Sequence, residues 1–82
     1  MDIELKVKQS IASALSIDVN SIKSEHYLVR DLGADSLNLI MVQKALEDNF
    51  GLDLNHLESR DFNCKVSELT IMIKYFMEKS KE

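Results

Sequence analysis

Proline is absent from this chain, and glycine occurs only at Gly33 and Gly51. Strands joined by tight turns need more frequent punctuation than that, so an all-β architecture is excluded at the outset. Cysteine occurs once, at Cys64. A lone thiol cannot staple the fold internally, and a reducing compartment is the simpler setting. Cys64, His26 and His56 share no ligand spacing, so no metal site is expected. No apolar run approaches the length of a membrane span, and the mixed-charge start "MDIELKVKQSIASAL" does not read as a signal peptide. The expectation is a cytoplasmic chain. Basic clusters are missing too: the formal net charge is −4, which argues against nucleic acid and favours partners with basic surfaces. With 82 residues, the chain has room for one domain, spanning 1–82, and one site.

What is present is helical periodicity. Ile3, Val7, Ile11, Ala14 and Leu15 fall on one face of a first helix, with Asp2 placed to cap it. From Ser16 to Asp35 the pattern lapses into a long loop with room for a short helical turn, pinned by Ile17, Ile22, Leu28, Val29 and Leu32. A second helix is expected over Ser36–Asn49, with Leu39, Val42, Leu46 and Phe50 as its buried stripe, Asp35 as N-cap and Gly51 as left-handed stop. Asn55 followed by Glu58 suggests a capping box opening a short helix over His56–Asp61. The last helix should cover Val66–Glu78, burying Val66, Leu69, Ile73, Phe76 and Met77, with Asn63 as its cap; residues 79–82 should fray. The fold class is therefore all-α, a small four-helix bundle of three main helices and one short one with a long first loop.

One serine asks for an explanation. In "RDLGADSLNLI", Ser36 has no G-x-S-x-G elbow around it and no histidine close in sequence. On the residues alone it has three readings. It can be a helix-start residue beside the Asp35 cap, or a nucleophile served by His26 folding back. It can also be an attachment point, because a helix N-terminus presents free N–H groups and a positive dipole end that favour a phosphate group. Gly33 allows the tight backbone such a site needs.

The heptapeptide "DLGADSL", Asp31–Leu37, resembles the attachment motif of acyl carrier proteins. The likeness extends over nearly the whole chain, through the loop anchors Ile17, Ile22 and Leu28, the stretch "ALEDNFGLDL" and the last helix. The resemblance implies a carrier and not an enzyme. A phosphopantetheinyl transferase would place 4'-phosphopantetheine, taken from coenzyme A, on Ser36, and acyl groups would ride on its thiol. It implies delivery to acyl-transferring, condensing or ligase enzymes of fatty-acid or related polyketide and lipid biosynthesis, by a monomer. Asp31, Asp35, Leu37, Ile40, Met41, Glu47 and Asp48 become candidates for partner recognition. Val29, Leu39, Val42, Leu46, Phe62 and Leu69 become candidates for lining an acyl pocket.

The chain also departs from the family's habit. Asn38 and Met41 stand where acidic residues are common, Lys44 where an apolar one is, and Arg30 precedes the motif in place of a frequent acid. "FNCKVSEL" lacks a usual threonine cap and carries one extra residue. These departures suggest a specialised carrier. A peptidyl or aminoacyl carrier is the nearest rival, although "GADS" favours the acyl side, and an unmodified helical interaction module with the same fold is the alternative outside that class. Cys64 is read as incidental.

Overall fold

The computed structural model describes residues 2–80. Three helices carry the fold: α1 (Ile3–Leu15), α2 (Ser36–Phe50) and α3 (Val66–Lys79). Among the described residues there is no strand, only one isolated bridge between Tyr27 and Lys65. α1 packs against both α2 and α3, and the short turn before α3 packs on α2.

α1 starts where expected. The Asp2 carboxylate accepts from Leu5 N–H at 3.0 Å, and the helix ends at Ser16 in the left-handed region, φ 57°. Its buried face is Val7, Ser10, Ile11, Ala12 and Ala14, while Ile3 and Leu15 are only partly covered. Ser10 is a fully buried polar residue with its capacity met: its hydroxyl donates to the Lys6 carbonyl at 2.9 Å and accepts from the Asn49 amide at 2.7 Å. That second bond ties α1 to the end of α2.

The loop from Ser16 to Asp35 is more ordered than its irregular sequence suggests. It contains a 3-10 turn, Val19–Ser21, and its second half is a dense set of backbone bonds. Asp31 and Leu32 N–H both reach the Tyr27 carbonyl, Gly33 N–H reaches Val29, and Ala34 N–H reaches Leu28. The loop is also stitched to the start of α3. Leu28 N–H donates to the Cys64 carbonyl, Val66 N–H to His26 and Ser67 N–H to Ser24. Ile22 and Leu28 anchor it in the core, with Ile17 and Leu32 partly covered. Val29, expected as a further anchor, is instead 37% exposed.

The segment before α3 corrects three expectations. No helix spans His56–Asp61. The chain forms a four-residue 3-10 turn, Ser59–Phe62, so the described fold has three helices and two 3-10 turns. The Asn55–Glu58 pair is not a box: Asn55 N–H goes to the Asp53 carboxylate, and Glu58 N–H goes to Asp61 at 2.8 Å. The reason lies in the apolar spacing. Phe62 is fully buried, yet the positions three and four before it are Ser59 and Glu58, so no helical stripe exists to stabilise a longer helix. Asn63 likewise does not cap α3. The cap is Lys65, whose N–H donates to the Glu68 carboxylate at 2.8 Å. The bridge to Tyr27 holds the backbone of residue 65 extended, so the cap falls at Lys65 while the helix starts at Val66 as expected.

The core is closed around Val7, Ile11, Leu28, Val42, Leu46, Leu54, Phe62, Val66, Leu69 and Ile73, all fully buried. Among the described residues no buried side-chain polar atom lacks a partner. α3 ends at Lys79 with Ser80 as its cap; of the tail expected to fray, residues 81 and 82 lie outside the described residues.

Candidate functional site

Ser36 is the first residue of α2 and its side chain is exposed. The preceding turn delivers it there. The Asp31 carboxylate accepts from Tyr27 N–H at 2.7 Å, closing the turn, and Gly33 takes φ 74°, a left-handed value that costs a residue with a Cβ energy. Asp35 then caps the helix. Its carboxylate accepts from Asn38 N–H at 2.8 Å while the Asn38 side-chain oxygen accepts from Asp35 N–H at 3.1 Å. Asn38 therefore completes a reciprocal capping box, a local task that accounts for a polar residue there.

No described residue hydrogen-bonds the Ser36 hydroxyl, and none offers it a base. His26 is engaged in its own turn, its Nδ1 accepting from Lys23 N–H at 3.1 Å. No histidine lines the cavity beside Ser36. The one carboxylate there, Asp35, is turned to the helix N–H groups. The arrangement exposes a serine without the means to activate it, which suits a hydroxyl modified by another protein.

That cavity has a volume of about 510 Å³. Val29, Ala34, Asp35, Ser36 and Leu39 form one wall, from the loop and α2. Ser59, Arg60 and Asn63 form the other, from the 3-10 turn and the residue after it. Of the six residues expected to line an acyl pocket, the structure brings Val29 and Leu39 to this cavity. Val42, Leu46, Phe62 and Leu69 are fully buried in the core and do not line it. Ala34, Ser59, Arg60 and Asn63 were not anticipated. Arg60 pairs with Glu58 at 2.6 Å, with both side chains well exposed.

The residues expected to meet partners separate into two groups. Leu37, Ile40 and Met41 are 65%, 42% and 44% exposed and form an apolar strip beside Ser36. The acids are mostly occupied internally: Asp31 and Asp35 as described, and Glu47, half-buried, accepting from Leu54 N–H at 2.8 Å. Asp48 is exposed, and no described residue bonds its side chain. Arg30 stacks over the Tyr27 ring at 4.1 Å, with Lys65 5.5 Å from the same ring, so Arg30 too has a local packing task.

Cys64 is half-buried, and burial, then the nearby Glu68 charge, push its thiol up to about 11. Such a thiol is protonated and unreactive near neutral pH. Among the described residues no His, Cys, Asp and Glu cluster could hold a metal ion, and no helix is long and apolar enough to cross a membrane.

Comparison with known proteins places these features in a class. Residues 5–58 match the family described as "Phosphopantetheine attachment site". An acyl carrier protein of Clostridium acetobutylicum is 36% identical over 77 residues, covering 94% of this chain and 95% of the relative. The chain belongs to the acyl carrier protein family. Its members are carriers and not enzymes, and the cofactor that goes with the matched domain is phosphopantetheine. The site fits that group: an exposed hydroxyl on a capped helix start, with a cavity at its side.

Proposed function

We propose that Ser36 is the attachment point for 4'-phosphopantetheine and that the chain shuttles acyl groups between partner enzymes. The observation that carries this reading is the exposed Ser36 hydroxyl, free of internal hydrogen bonds and held at the first residue of α2 by the Asp35–Asn38 box. When bound, the group supplies a terminal thiol that carries the acyl chain as a thioester. Ser36 provides the anchoring oxygen, the box fixes its position, and Val29, Ala34 and Leu39 offer apolar surface beside it. Covering an alkyl chain there is worth about 0.8 kcal/mol per CH₂.

The partners in this reading are a phosphopantetheinyl transferase and acyl-transferring, condensing or ligase enzymes with basic surfaces, in fatty-acid or related polyketide and lipid biosynthesis. The carrier works as a cytoplasmic monomer. Leu37, Ile40 and Met41 give those enzymes an apolar contact. The scarcity of free acids around that strip supports a specialised carrier with a restricted set of partners.

Intact mass after co-expression with a transferase tests the reading. The native chain should gain one phosphopantetheine, and Ser36→Ala should gain none. No gain with several transferases would instead favour an unmodified interaction module. Loading of aminoacyl groups in preference to acyl groups would favour a peptidyl carrier.

A further inference from the structure

The cavity beside Ser36 is polar on one side. Its 3-10 wall is Ser59, Arg60 and Asn63, and among these Arg60 carries the only positive charge on the cavity lining. The guanidinium commits one terminal nitrogen, Nη2, to Glu58 Oε2 at 2.6 Å. It has five N–H donors, so most of the fork is left over. The pair itself is weakly held, because the two side chains are 83% and 65% exposed. Nothing in the first turn of α2 competes for Arg60, since that turn holds no acidic residue. Asp35 also lines the cavity, but its carboxylate faces Asn38 N–H. Ser36 and Arg60 thus share one small cavity, a hydroxyl on one wall and, on the other, a guanidinium with donors to spare beyond its exposed pair with Glu58.

We propose that Arg60, with the Asn63 amide beside it, is the anion-receiving residue of this site. It holds an oxyanion borne by the group on Ser36, which is either the phosphodiester at the root of the arm or a carboxylate at the end of its cargo. The inference rests on the Ser36 attachment reading. A phosphodiester bonded to Ser36 Oγ sits in the cavity Arg60 lines. A cargo carboxylate reaches it when the arm folds back.

Arginine side-chain NMR on the unmodified, phosphopantetheine-bearing, butyryl-loaded and succinyl-loaded native chain tests this and separates the two sources. If the phosphodiester is the ligand, the Arg60 Nε–H signal shifts on modification and then ignores the cargo. Arg60→Gln would then move the phosphorus resonance. It would also remove a gain in Tm on modification of about 1–8 °C at low salt, which salt at about 0.5 M should screen as well. If a cargo carboxylate is the ligand, the signal shifts with succinyl and stays put with butyryl. An Arg60 signal unchanged across all four forms overturns the proposal. Mass gain without an Arg60 response sinks this inference alone, whereas no mass gain sinks the attachment reading beneath it.

Discussion

The two ends of α2 make opposite use of similar residues. At the C-terminal end, polar side chains hold the fold together. Glu47 accepts from Leu54 N–H, Gln43 donates to the Leu54 carbonyl and Asn49 donates to the buried Ser10. Phe50 lies under the Lys6 ammonium at 5.0 Å. At the N-terminal end, Asp35 and Asn38 satisfy only each other's backbone, while Ser36, Leu37, Ile40 and Met41 face outward. One end is tied by side-chain hydrogen bonds to α1 and to the returning chain; among the described residues the side-chain hydrogen bonds of the other stay within its own cap. A helix built this way can carry a covalent group and meet changing partners at one end without strain on the packing that the other end secures. The comparison also revises the part played by Glu47, which a helical wheel places on an outward side but which the returning chain covers.

The sharpest way to break that contrast is Glu47→Ala. Leu54 is fully buried, so its N–H would lose its partner away from water. The loss should be about 1–3 kcal/mol, read by urea unfolding. Glu47→Gln keeps an acceptor and should recover most of it. Modification of Ser36 by a transferase should continue at the native rate in both. A slowed transferase reaction with unchanged stability would show that Glu47 faces partners after all.

Next in size are the two left-handed glycines, Gly33 just before α2 and Gly51 just after it. Gly33 and Gly51 stand at φ 74° and 65°, and an added Cβ would meet nothing within 4 Å at either. Alanine at each should therefore cost backbone strain alone, about 1–2 kcal/mol. The stability losses should match while the consequences differ. Gly51→Ala loosens the exit from α2 and leaves Ser36 accessible as before. Gly33→Ala bends the turn that delivers Ser36 and should slow its modification. Equal modification rates for the two variants would mean that the turn does not position the serine.

What could be read from the sequence was what depends on near neighbours. Asp2, Asp35 and Gly51 sit at helix ends because caps are local chemistry, and the three long helices follow from stripes at steps of three and four. The place of Ser36 at the start of α2 was legible for the same reason. Misreadings arose wherever a distant segment decided the outcome. Asn55 and Glu58 had the spacing of a box but no apolar stripe behind them. Asn63 looked like a cap, but the bridge from Tyr27 holds Lys65 extended in the cap position, just before the expected start at Val66. Val42, Leu46, Phe62 and Leu69 are a different case: they are buried as their periodicity indicates, and periodicity does not say which buried residues border the cavity beside Ser36. Arg60 gave no signal at all, because only tertiary packing of a short 3-10 turn against α2 brings it beside Ser36.

The smallest expected effect tests the outward end itself. Met41 is 44% exposed between Ile40 and the acids further along α2. Met41→Glu should leave stability nearly unchanged, because Met41 belongs neither to the core nor to the side chains packed against it. Each exposed ion pair adds about 0.2–1 kcal/mol, so affinity for a basic-surfaced condensing enzyme of general fatty-acid synthesis should rise by a factor of about 1.4–5. The gain should fade with salt, since exposed charges are screened beyond a Debye length. For a cognate partner that reads the Leu37–Ile40–Met41 strip, the same substitution should weaken binding, because a charge replaces apolar contact. Opposite signs for the two kinds of partner would show that this end of α2 sorts partners. No change for either would show that the strip is an ordinary solvated face, and the specialised-carrier reading would go with it.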